Sequence, residues 1–245
     1  MFFPCYLGFM STALGTKTVY LAEQCISKGY NYVCYDPECV SELLEKPAGQ
    51  CVEMFNQLEF SHWFDDANTA INYIKEDNPG DEHKILMVGS SMGGWITLSM
   101  AMKYPERIQG IVLIAPALNF MRGYYLKCYN DVTDEQKKKL DSGETIIFSS
   151  SYGDMPLSKR FAESSHEVEL DISKPLKIDC SVRILHGVKD DSVPYENSLK
   201  IMKLLASQDV DVLYRKAGDH RLCNEKDLEL LEETVDRMAT ILTKS

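Results

Sequence analysis

The sequence predicts an α/β fold with a mostly parallel sheet flanked by helices. Two observations carry that prediction. Apolar, β-branched runs alternate with segments of helical spacing along most of the chain. Three of the runs then end, in order, at a serine, at a pair of aspartates and at a histidine, so that strand ends deliver nucleophile, acid and base.

The elements follow in sequence. Phe2-Phe3 reads as the end of a core strand, so the fold either begins abruptly or lacks N-terminal strands. Residues 16–28 space Val19, Leu21, Ala22 and Ile26 as a helix does, and Tyr30 to Tyr35 reads as a short strand. Residues 36–60 form a long connection with Pro37 and Pro47 and a short helix near Val40 to Glu45. Trp63 to Ile74 is helical, and Asn78-Pro79-Gly80 is a turn. Ile85 to Gly89 is a strand, Trp95 to Tyr104 a helix that stops before Pro105, and Ile108 to Ala115 a strand. The rhythm breaks over about 117–179, which reads as a small lid insertion in a single domain spanning 1–245. That stretch holds Tyr124-Tyr125, a charged helix near Asp134 to Leu140, and Ser149-Ser150-Ser151. Alternation resumes with a strand at Val182, a helix from Tyr195 to Leu205, a strand from Val210 to Arg215, and a closing helix from Glu225 to Leu242.

Composition narrows the function. A chain of 245 residues, 44% hydrophobic and 26% charged, suits one soluble globule with a sizeable core. A formal net charge of −11 argues against nucleic acid or anionic membrane as the main partner. Lys137-Lys138-Lys139 is too short to reverse that and reads as a solvated helix face. No apolar run is long enough for an integral membrane segment, and no secretory or arginine-rich targeting segment is visible. The eight cysteines show neither a Cys-x-x-Cys pair nor a zinc-ligand rhythm, which predicts reduced thiols. Neither a metal nor a cofactor is implied.

Chemistry enters at Gly89-Ser90-Ser91-Met92-Gly93. A Gly-x-Ser-x-Gly motif between a strand and a helix places its serine on a strained turn with the hydroxyl presented outward. A serine hydroxyl needs a base to take its proton. Of His62, His83, His166, His186 and His220, only His220 follows the last strand, where the base must lie. His186, in a strand–loop corner, reads as a packing and backbone-bonding residue. Asp190, Asp191 and Asp219 compete for the acid that orients the imidazole. Negative charge on the substrate oxygen calls for two N–H donors. One is the backbone of Met92; the other belongs to the loop after the first strand, near Cys5 or Tyr6, with Tyr6 the choice. Phe120, Tyr124, Tyr125 and Phe148 in the lid either contact an acyl chain or pack the lid.

Three stretches together, Val88 to Leu98, Arg183 to Pro194 and Asp211 to Arg221, resemble the α/β-hydrolase-domain serine esterases, in particular the mitochondrial palmitoyl-protein thioesterase and acyl-glucuronide esterase group. Leu14-Gly15-Thr16-Lys17 is similar to a Gly-Thr-Lys stretch in the same group. The resemblance implies an α/β-hydrolase fold with Ser91 as nucleophile, Asp190 as acid and His220 as base. It implies cleavage of small-molecule esters or of acyl-thioesters on S-acylated proteins through an acyl-enzyme, protein depalmitoylation included. It also places the chain in mitochondria, with the cytoplasm as the alternative; the oligomeric state is open. Two departures stand out. Cys5 occupies the position after the proline of the oxyanion loop, where the group has glycine; whether its side chain crowds the hole or turns an N–H out of line is open. Residues 36–60 are longer than in the group and lack its glycine- and serine-rich turn. A binding protein with a disabled oxyanion hole and a peptidase or amidase of the same fold are the competing readings.

Overall fold

A computed structural model describes residues 1–76, 84–150 and 153–244. The turn read at Asn78-Pro79-Gly80, His83 and Ser151 lie outside the described residues. The chain forms two compact units: Met1–Tyr35, Ala67–Leu118 and Leu170–Ser245 make the first, and Asp36–Asp66 with Asn119–Glu169 make the second. The expected insertion and the second unit share 119–169, and the unit also takes in the connection from Asp36 to Asp66.

The first unit holds a six-stranded sheet of β1 (Phe2–Tyr6), β2 (Asn31–Cys34), β3 (Ile85–Ser90), β4 (Ile108–Ile114), β7 (Ser181–Gly187) and β8 (Val210–Arg215). The strands run in the order β2-β1-β3-β4-β7-β8, and every pair is parallel. Parallel strands need crossovers, which are supplied by helices such as α1 (Thr16–Ser27), α5 (Met92–Lys103) and α9 (Glu196–Leu204). The closing helix α10 (Glu225–Lys244) packs with α1 on one face. Phe3, Cys5, Leu86, Val88, Val112, Ile114 and Leu185 form a buried core there with Leu21, Cys25, Leu231, Val235, Met238 and Leu242. Alternate residues point the other way. Tyr6, Met87, Ile111, Leu113 and Ile184 are buried on the face where α5 lies against β1, β3 and β4. Both faces are therefore covered, which is why β3 and β4 are near-continuous apolar runs.

Pro4 sits inside β1 although β1 is flanked on both sides. It pairs with Val33 on β2, while the β3 ladder runs from Phe2↔Ile85 to Cys5↔Val88 without a partner for Pro4. The missing N–H is thus absorbed in a gap in one ladder.

The second unit contains α2 (Val40–Glu45), α3 (Ala48–Gln57), the first residues of α4 (His62–Glu76), α6 (Met121–Asp131), α7 (Asp134–Asp141), an antiparallel ribbon of β5 (Ile146–Ser150) and β6 (Gly153–Leu157), α8 (Lys159–Ser164) and a 3₁₀ turn, Ser165–Val168. Its core is aromatic: Phe161 packs on Phe55, Trp63 and Phe60 with ring centroids 4.6, 5.1 and 5.4 Å apart. Thr133 and Gln136 form a capping box that starts α7. Tyr125 is buried, with its ring centroid 6.0 Å from that of Tyr129.

Candidate active site at the strand ends

β3 delivers the chain into a turn at Ser91, the N-cap of α5, with φ 53° and ψ −116°. A non-glycine residue there costs on the order of 1–3 kcal/mol, so the surroundings must hold it. They do so through the backbone. Ser91 N–H donates to the Ile114 carbonyl at 2.8 Å, and the Ser91 carbonyl accepts from Gly94 at 2.9 Å and Ala117 at 3.0 Å. The motif glycines are required by close approach. A Cβ on Gly93 would stand 2.1 Å from the Tyr6 carbonyl oxygen, and one on Gly89 would stand 2.3 Å from Thr97 Oγ1.

His220 lies in the loop after β8. Its Nε2 is 3.1 Å from Ser91 Oγ, and its Nδ1 is 2.8 Å from Asp190 Oδ2. A carboxylate can only accept, so Nδ1 carries the hydrogen, and Nε2 of the neutral ring is left to accept from the serine hydroxyl. Asp190 is anchored on every side. Its side chain is fully buried, Oδ1 accepts from the N–H groups of Ser192 at 2.9 Å and Val193 at 2.8 Å, and Oδ2 also meets His186 Nε2 at 3.0 Å. Burial pushes the Asp190 carboxyl upward, but hydrogen bonds from His186, His220 and Val193 outweigh it and hold the group well below the usual carboxylate range. Asp191 accepts from the Ser192 hydroxyl, and Asp219 caps its own loop through the N–H groups of Arg221 and Leu222. Of the three competing acids, Asp190 is the one the structure sets on His220.

The loops that carry Asp190 and His220 are joined by backbone. Lys189 N–H donates to the Gly218 carbonyl at 2.9 Å, and Val188 N–H to the Arg215 carbonyl at 2.8 Å. On the other side Lys17, in the first turn of α1, donates through Nζ to the Arg221 carbonyl at 2.5 Å.

His186 was underread from sequence. It bonds to the Val193 carbonyl at 3.1 Å, as a backbone-bonding residue would, but it also reaches Asp190. The available signal was its place four residues before the acid at a turn. His62 pairs with Glu38 at 2.9 Å and His166 with Glu169 at 3.2 Å, both within the second unit.

The expected donors fall as follows. Met92 is the first residue of α5, where a helix leaves backbone N–H groups without an intrahelical acceptor. Tyr6 is the last residue of β1; its hydroxyl donates to the Ala67 carbonyl at 3.3 Å, and its own carbonyl faces Gly93. Cys5 does not sit in a loop beside Ser91. It lies inside β1 with its side chain in the core against α1 and α10, which places that side chain away from Ser91. The residue that comes against Ser91 is Gly8, where a Cβ would be 3.5 Å from Ser91 Cβ. A turn closed by Ser11 N–H to the Gly8 carbonyl at 3.2 Å, with Met10 at φ 55°, shapes this segment.

The chain is similar to several known proteins. A protein-family model described as serine aminopeptidase S33 matches residues 51–141. The mitochondrial palmitoyl-protein thioesterase ABHD10 of Pongo abelii is 30% identical over 99% of this chain and 74% of its own length, and that of Homo sapiens is 29% identical over the same shares. The structure of α/β-hydrolase domain-containing protein 10 from mouse superposes with a TM-score of 0.75 at 27% identity, covering 98% of this chain and 90% of that one. A putative hydrolase from Agrobacterium vitis S4 shares the fold, with a TM-score of 0.78 over 97% of this chain and 87% of its own at 24% identity. The chain is a hydrolase of the α/β-hydrolase fold, and it belongs to the family of the ABHD10 palmitoyl-protein thioesterases.

Proposed function

We propose that this protein is a serine esterase and thioesterase that works through an acyl-enzyme on Ser91. The observation that carries the reading is the placement of one imidazole, His220, between a fully buried carboxylate and a serine hydroxyl at 2.8 and 3.1 Å. In this reading Ser91 Oγ attacks the acyl carbon while His220 Nε2 takes its proton. Asp190 stabilises the imidazolium that forms and keeps the ring in one tautomer. The Met92 N–H stabilises the developing oxyanion together with a second N–H from the main chain after β1. The sequence pointed to Tyr6 for that second donor; the packing of Gly8 on Ser91 favours the stretch just beyond it. His220 then returns its proton to the leaving thiolate or alkoxide, and water activated by the same ring hydrolyses the acyl-enzyme.

The named activity of the relatives extends this reading to S-acylated proteins as substrates and to mitochondria as the compartment. Among the described residues no helix is long and apolar enough to cross a membrane. A fluorophosphonate probe is expected to label Ser91, and purified protein to cleave a graded series of acyl-thioesters and esters. Labelling or turnover that persists in Ser91→Ala would overturn the assignment. The description of the matching family model favours a peptidase as the second reading; aminoacyl amides offered beside the thioesters separate the two.

A further inference from the structure

The carboxylate of this site carries two imidazoles. His186 Nε2 and His220 Nδ1 both address Asp190 Oδ2, at 3.0 and 2.8 Å. The two rings are not equivalent. His220 is partly exposed and reaches Ser91, whereas His186 has no exposed surface and reaches no other catalytic group.

The protonation of His186 follows from its partners. Nε2 faces two acceptors, Asp190 Oδ2 and the Val193 carbonyl, so Nε2 carries the hydrogen. Nδ1 of the neutral ring then accepts from Ser198 Oγ at 2.6 Å. Ser198 is itself fully buried, on α9. The result is a directed chain in which the Ser198 hydroxyl donates to His186, His186 donates to Asp190, His220 donates to the same oxygen, and Ser91 donates to His220. A histidine that only filled space would not need three polar partners, each of which costs stability if left unpaired.

We propose that His186 is a positioning residue for the reaction. Its N–H supplies the fourth hydrogen bond to a carboxylate that water does not reach, keeping Asp190 ionised and in the rotamer that aims Oδ2 at His220. Ser198 serves it by fixing the ring tautomer. No proton is transferred to His186 during turnover; it acts through Asp190. The inference rests on the serine-hydrolase reading above.

The test compares His186→Gln, whose side-chain amide retains an N–H donor, with His186→Leu, which does not, alongside Ser198→Ala. Measurements are kcat and KM on a short-chain acyl-thioester, the rate of fluorophosphonate labelling at Ser91, and thermal unfolding. For His186→Leu, kcat and labelling are expected to fall roughly 10- to 100-fold, the scale of a lost hydrogen bond to a charged group, with KM within about twofold of the parent. His186→Gln should recover most of the loss and Ser198→Ala should lie between. Equal rates for folded His186→Gln and His186→Leu overturn the proposal, as does a loss confined to KM. Should His186→Leu fail to fold, downfield proton NMR decides. Wild type should show two protected imidazole N–H resonances, and His186→Gln should keep one, shifted. An unshifted survivor overturns the proposal. Failure of wild type to label at Ser91 strikes at the hydrolase reading instead, and the NMR result stands apart from it.

Discussion

Gly187 is where the loops of Asp190 and His220 meet, and adding one methyl group there tests whether backbone contact sets the geometry of the proposed site. Gly187 ends β7, one residue after His186 and three before Asp190. A Cβ at this position would stand 2.3 Å from the Gly218 carbonyl oxygen and 2.5 Å from that of Asp219, whereas real Cβ atoms keep at least 3.0 Å. The obstructing atoms are backbone, so Gly187→Ala must drive the loops apart by at least 0.7 Å, the difference between 3.0 and 2.3 Å. If half or more of that displacement reaches the imidazole, the 2.8 Å bond from His220 to Asp190 stretches toward the limit of hydrogen-bond geometry. Misplacing catalytic groups by about 1 Å costs on the order of 100-fold in rate. The expected outcome is a fall of roughly 30- to 100-fold in kcat and in fluorophosphonate labelling, with a folded protein destabilised by about 1–3 kcal/mol from overpacking. Urea unfolding reports the stability, and thioester turnover the rate. A folded Gly187→Ala that keeps activity within about threefold of wild type would refute the claim that this contact positions His220.

Three further outcomes are expected. Gly123, in α6, has nothing among the described residues within 4 Å of a prospective Cβ, so Gly123→Ala should stabilise the protein by about 0.5–1 kcal/mol in urea unfolding, and a loss would refute the open environment. The folded-state pKa of Asp190 is lowered, so its ionised form favours folding above the unfolded value of about 3.9 and that contribution drains as pH falls toward the lowered value. The stability gap between wild type and Asp190→Asn should therefore shrink from pH 7 to pH 3, and a gap constant across that range would contradict the sign. Lys17→Met removes the ammonium bond to the Arg221 carbonyl and should slow turnover about 3- to 10-fold, with partial recovery in Lys17→Arg; identical rates in the two variants would show that the bond does not steady the histidine loop.

The sheet was legible because each of its strands is covered on at least one face, which leaves apolar, β-branched runs that few helices would carry. That Ser91 and His220 lie at strand ends that meet was legible for a related reason. A nucleophile elbow needs glycines where backbone passes close, and the base must follow a strand. Asp190 could not be separated from Asp191 by pattern alone, because the choice depends on which carboxylate turns inward to receive the N–H groups of Ser192 and Val193. The second unit was least legible. Pro47 reads as part of a long connection, yet it is the N-cap residue of α3, and the stretch read only as an insertion holds a two-stranded ribbon with Pro156 in one of its strands.

Pro4 also sits inside a strand, and its place bears on where the oxyanion loop of the proposed mechanism starts. With Phe2-Phe3 read as the strand end, the following loop starts near Cys5 and Tyr6. In the fold the strand continues through Pro4 to Tyr6, and Gly8 is the residue that meets Ser91. The two placements make opposite predictions for paired substitutions. If Cys5 crowded an oxyanion hole, Cys5→Gly would raise turnover, since one oxyanion donor is worth on the order of 100-fold or more. With Cys5 at 5% exposure in the core against Leu21 and Cys25, Cys5→Gly instead removes buried side chain and adds backbone freedom, costing roughly 1–3 kcal/mol with no gain in rate. A bulkier residue at Gly8 acts on the chemistry. The first carbon of Gly8→Val fits at 3.4 Å from Ser11 Oγ and 3.5 Å from Ser91 Cβ, which leaves two further methyl groups to crowd these neighbours, and labelling of Ser91 should slow at least about tenfold in a folded protein. An activated Cys5→Gly together with a silent Gly8→Val would return the oxyanion loop to the earlier position, whereas the reverse pattern fixes its start beyond Tyr6.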